Sequence, residues 1–102
     1  MIEVDSYVRF LEDKDETGKA IQFLVELIAE RPTKIELHRR LADLYQKTGQ
    51  TDKAIEVMDA MGDVLIGEGN KPAAINVIQA ILKLNPPNAG EYQKLIQQLQ
   101  SE

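Results

Sequence analysis

The residues of this chain whose types could do chemistry are few: one histidine, His38, a spaced carboxylate run at Glu56, Asp59 and Asp63, and the methionines Met58 and Met61. His38 shares a helical face with Leu41 and Tyr45, so packing or an interfacial role outweighs catalysis, and a metal site would need several converging ligands. Glu56, Asp59 and Asp63 fall at i, i+3 and i+7, which puts three hard oxygen ligands on one helix face. Mg²⁺ or Ca²⁺ is the chemistry they would suit, but such spacing more often lines a solvated face. Ser6 and Ser101 are the only serines, and no hydroxyl residue stands in a recognisable nucleophile motif with a histidine base. Gly67-Glu68-Gly69 has no strand before it and matches no nucleotide fingerprint, which makes it a helix-to-helix turn rather than a phosphate cradle. Met58 and Met61 could form an adaptable binding surface, although core packing is the stronger reading. No catalytic residue, cofactor or metal is expected.

Composition supports this. At 102 residues, with 43% hydrophobic and 28% charged side chains, the chain has the makings of one ordinary globular domain spanning 1–102. The absence of cysteine removes disulfides, thiolate ligands and thiol nucleophiles together. The start MIEVDSYVRF lacks the basic end and apolar core of a signal peptide, and no apolar run approaches ~20 residues, so a cytoplasmic protein with no membrane association is expected. The net charge of −5 opposes nucleic-acid phosphates. Its distribution is uneven: residues 1–16 hold six acids against Arg9 and Lys14, residues 31–53 hold six bases against three acids, and residues 54–69 hold four acids and no base.

Six helical segments must position these residues. Thr17 reads as the cap of a helix at about 18–30 stopped before Pro32, and Thr33 with Glu36 as a capping box for one at about 34–47 ended by Gly49. Gln50 or Thr51 opens the next, which ends at Gly67, Gly69 and Asn70. Pro72 occupies the first turn of a helix at about 71–84, closed by Asn85-Pro86-Pro87, and Asn88 with Glu91 caps a last helix to about Leu99. A first helix ends near Lys14, with Asp5 or Ser6 as alternative starts. Ile21, Leu24, Val25, Leu27 and Ile28 form one apolar stripe, and Leu37, Leu41, Leu44 and Tyr45 another; no segment alternates as a strand does. The fold class is all-α, and the short connections make consecutive helices antiparallel neighbours.

A period of 34 residues runs through these helices. Val4, Tyr7, Val8, Leu11, Ala20, Leu24, Leu27 and Pro32 are answered by His38, Leu41, Ala42, Tyr45, Ala54, Met58 and Met61. The pattern resembles the tetratricopeptide repeat family, in which small residues at unit positions 8 and 20 let two helices approach closely. The resemblance implies a right-handed helix-turn-helix superhelix. A third unit fits from residue 55 rather than 69, restoring Met58, Met61, Gly62, Leu65, Gly69, Ala74, Ile78, Ile81 and Pro86. Units then start near 1, 35 and 55, and a capping helix covers 88–100. The helix at about 52–67 serves two units and is expected to be the most enclosed.

Further implications follow from the resemblance alone. The family's concave surface is lined by first-helix positions 2, 5, 6, 9, 12 and 13. These correspond to Asp5, Arg9, Glu12 and Asp13, then Glu36, Arg39, Arg40, Asp43, Gln46 and Lys47, then Glu56, Asp59 and Asp63. Of these, Arg9, Arg39, Arg40, Asp43, Gln46, Asp59 and Asp63 are the candidate partner-binding residues. The clamp for C-terminal carboxylates uses Lys and Asn at positions 5 and 9, which this chain lacks. A non-catalytic module binding a protein or peptide of mixed charge is therefore expected. Self-association through Ile2, Val4 and Phe10, on a first helix with no preceding unit, is the alternative. Nucleic-acid binding by a related helical repeat is more remote.

Overall fold

The structure, a computed structural model, describes residues 3–101, and those residues form six α-helices and no strand. They are α1 (Val4–Asp13), α2 (Thr17–Glu30), α3 (Ile35–Lys47), α4 (Thr51–Gly67), α5 (Lys71–Lys83) and α6 (Ala89–Ser101). Each packs against its chain neighbours, in an elongated body of 46 × 28 × 17 Å. The all-α antiparallel stack expected from the spacing is what forms.

Three of the turns are copies of one device. After α1, α3 and α4 a single residue enters the left-handed region: Asp15 (φ 61°), Gly49 (φ 76°) and Gly69 (φ 77°). The next amide then reaches back to a carbonyl inside the helix, Glu16 N to Leu11 O, Gln50 N to Tyr45 O and Asn70 N to Leu65 O, all at 2.8–2.9 Å. This reuse of orphaned carbonyls is the Schellman arrangement, which favours glycine because it has no Cβ. Gly49 and Gly69 were legible as stops; Asp15, which performs the same task, was not. The helix starts differ from expectation. Thr17 is the first residue of α2 rather than its cap, and α3 begins after Lys34 with no side-chain cap, so Thr33 and Glu36 form no capping box. Asn70 does cap, its Oδ1 accepting from Ala73 N at 3.3 Å ahead of Pro72.

The core divides into two clusters. Val8, Leu11, Ala20, Leu24, Leu37, Leu41 and Leu44 form the N-terminal one. Ala42, Met58, Met61, Leu65, Ala74, Ile78, Ile81, Tyr92 and Leu99 form the other, and Val57 packs against both. Ala20, Ala54 and Ala74 are fully buried, as close helix approach at small residues requires. α4 is not the most enclosed element: α3 buries five residues within 13, whereas α4 buries five within 17. The reason is positional, because α3 feeds Leu37, Leu41 and Leu44 to one cluster and Ala42 to the other, while the acidic side of α4 stays in water.

Candidate functional site: clefts around helix α3

Three clefts meet α3 on three different faces. The largest, about 650 Å³, lies between α3 and α5 above α4. Ile35, Arg39, Ala42, Asp43 and Gln46 line it from α3, and Ala73, Asn76, Val77 and Ala80 from α5, over Met58, Met61 and Leu65. A second, about 480 Å³, opens between α1 and α3 with Glu36, Leu37 and Arg40 as its α3 wall. A third, about 210 Å³, separates α2 from α4 over His38 and Leu41. Helical spacing explains the division: Arg39, Asp43 and Gln46 recur at i, i+4 and i+7 on one stripe, and Arg40, about 100° further round, faces the other way.

The α3–α5 cleft combines an apolar floor with a polar rim. Its floor is apolar and includes two methionines, whose unbranched side chains adapt to different shapes. Its rim is polar and exposed: Arg39, Asp43, Gln46, Glu68, Asn70 and Asn76. Arg39 Nη1 donates to Glu36 Oε1 at 3.1 Å, an exposed pair that contributes little to stability.

The expected groove residues are only partly gathered. Arg39, Asp43 and Gln46 share this cleft. Arg40 lies in the neighbouring one, where its Nη2 meets Asp5 Oδ1 at 2.7 Å. Lys47 Nζ reaches Glu12 Oε1 at 3.4 Å, a second tie between α1 and α3. Arg9 is exposed on α1 and lines none of the three clefts, and neither does Asp63. Asp59 turns towards α6, where Tyr92 Oη donates to its Oδ2 at 2.8 Å. Since Met58, Met61 and Leu65 face the cleft, Asp59 and Asp63 are carried round to the opposite side of α4. The tie nonetheless follows the repeat frame, because position 5 of one unit meets the next unit's first helix in both halves: Asp5 with Arg40, Asp59 with Tyr92.

Burial of its phenol, with the hydrogen bond and negative charge of Asp59, raises the Tyr92 pKa from 10.0 to about 12. His38 is buried, and its Nδ1 donates to Lys34 O at 3.0 Å. Among the described residues no group of three or more His, Cys, Asp or Glu converges as a metal site. Among the described residues no helix is long and apolar enough to cross a membrane.

Two of the three residues suggested for self-association lie among the described residues. Ile2 lies outside the described residues, and Val4 is half-buried against the N-terminal cluster. Phe10 is exposed on another side of α1, with Lys14 Nζ 5.2 Å from its ring centre. Sequence reasoning missed the α5 wall of the large cleft. The available signal was Ala73, Asn76, Val77 and Ala80 recurring at i, i+3, i+4 and i+7, a helical stripe with too little bulk to be a core face.

A search of curated proteins finds no match to the chain. A family model described as tetratricopeptide repeat matches residues 11–63, from the end of α1 through most of α4 and more than half of the chain. With the repeated turns, the buried alanines and the helix stack, this match establishes that the chain belongs to the tetratricopeptide repeat family.

Proposed function

We propose that the chain is a non-catalytic protein-interaction module and that the α3–α5 cleft receives a segment of its partner. Tetratricopeptide repeats generally mediate protein–protein interaction. The observation that carries the reading is the apolar floor of Met58, Met61 and Leu65 beneath an exposed polar rim, in a cleft whose size is ordinary for ligand sites. Apolar anchors supply most of the affinity in such interfaces, and the rim sets orientation. The test is a photo-crosslinking amino acid placed at Asn76, followed by identification of what is captured in cells. A partner lost on Arg39→Glu, with far-UV circular dichroism unchanged, supports the reading. Capture that is indifferent to Arg39→Glu, Asp43→Lys and Gln46→Glu alike refutes it.

Self-association is a second reading, favoured by one observation: Phe10 is 52% exposed on the first helix of the stack. Light scattering over a concentration series separates the two. A dimer that persists on dilution and is lost on Phe10→Ser supports self-association, whereas a mass of 11.5 kDa throughout removes it.

A further inference from the structure

We propose that the cleft between α2 and α4 is a docking site for an arginine side chain of a partner protein, received between the ring of His38 and the carboxylate of Glu56. The site is separate from the α3–α5 cleft and does not depend on what occupies it. Among the described residues α2 and α4 do not pack on one another, and His38 and Leu41 of α3 floor the gap of about 210 Å³ between them. That space is below the roughly 300–1,000 Å³ of small-molecule sites and suits one inserted side chain.

His38 marks the floor as a place for a ligand. It stands at a packing position of its unit, held by Val4 and Met58 in the units that start at 1 and 55. The ring is 3% exposed and its Nδ1 donates to Lys34 O, while Nε2 has no hydrogen-bond partner among the described residues. A polar atom both sealed and unbonded is costly, and no buried side-chain nitrogen or oxygen among the described residues is left in that state. Nε2 therefore opens into the cleft that His38 lines. A neutral imidazole that donates through Nδ1 accepts through Nε2, so the floor calls for a donor.

Charge decides which donor. Glu56, on the α4 wall, is exposed and has no ion pair among the described residues. Bases already on the two helices do not answer it: Lys53 lies 5.9 Å from the centre of the Tyr45 ring, and Lys19 pairs with Glu16. Val25, Ile28 and Val57 supply apolar walls, and Val25 is 38% exposed. Arginine fits all three features, because its methylene stem lies along apolar surface and its planar fork of donors serves two acceptors at once. A carboxylate meets Glu56 and a lone pair, and an aliphatic chain strips water from both acceptors without replacing its hydrogen bonds. A divalent metal finds one imidazole and one carboxylate, short of the three protein ligands such sites use.

His38 is the single histidine of the chain, so its ring signals are unambiguous. The experiment titrates the whole isotope-labelled chain with an end-capped Ala-Leu-Arg-Ala-Leu peptide, followed by two-dimensional NMR. Saturable binding is expected to shift the His38 Nε2 resonance together with the amides of Val25, Ile28, Val57 and Ala60. Glu56→Gln, an exposed change, is expected to weaken binding about threefold and Glu56→Lys about tenfold, with rising salt acting in the same direction. Counterparts carrying norleucine or glutamate in place of arginine are expected not to bind. Equal binding of either counterpart, an unmoved His38 ring, or indifference to both Glu56 variants overturns the proposal. So does the absence of saturable binding, or a response centred on Ala73 and Asn76 of the other cleft. Failure here leaves the Asn76 crosslinking result untouched, so the two readings fall separately.

Discussion

Tyr92→Phe isolates the contact that ties α6 to α4. The ring is 6% exposed and keeps its packing in the variant; only the hydroxyl that donates to Asp59 Oδ2 at 2.8 Å is lost. A hydrogen bond to an ionised acceptor contributes roughly 1.5–3 kcal/mol. Asp59 is exposed and recovers water when the hydroxyl is gone, which brings the expected loss down to about 1 kcal/mol, or ~4 °C in melting temperature for a chain of this length. The pH dependence supplies a second, independent reading. Burial first, and Asp59 second, raise the folded-state pKa of Tyr92 from 10.0 to about 12. A raised pKa favours the protonated phenol, so its stabilisation is complete below pH 10 and drains away as pH climbs through about 12. Phenylalanine has no such proton. Urea unfolding followed by circular dichroism should therefore show the wild-type protein ahead by about 1 kcal/mol at pH 8, with the gap closed near pH 11 as about 1 kcal/mol is lost through linkage. Equal stability at pH 8 would refute the contribution of the bond. Parallel curves through pH 11 would refute its coupling to ionisation.

Leu24 is fully buried at the centre of the N-terminal cluster, and Leu24→Ala is expected to cost about 3 kcal/mol in chemical denaturation. Asp15 holds φ 61° where the two equivalent turns have glycine, so Asp15→Gly is expected to raise stability by about 0.5 kcal/mol despite the greater freedom glycine gives the unfolded chain. A double-mutant cycle on Asp5 and Arg40 is expected to give a coupling below ~1 kcal/mol that vanishes in high salt, because both ends of the 2.7 Å pair touch water.

The sequence by itself determined what depends on near neighbours along the chain. Helix count, helix stops at Gly49 and Gly69, the Pro72 start and the 34-residue unit follow from backbone preferences and apolar spacing, which act over a few residues. The placement of Ala20, Leu24, Ala54 and Met58 as buried positions follows from the same periodicity. Tertiary structure decided how the faces were shared. Which of Arg39 and Arg40 looks towards α5, and which pairs with Asp5, depends on the rotation of α3 between two neighbours that lie on opposite sides of it. Asp59 left the expected groove for Tyr92, 33 residues away, because packing Met58, Met61 and Leu65 inward fixes where every other side chain of α4 must point. Asp15 took a glycine's place because α1 and α2 must turn within three residues for their cores to meet. The α3–α5 cleft is a product of assembly alone, since its walls come from helices separated by α4 and its apolar anchors become a surface only where two helices stand apart.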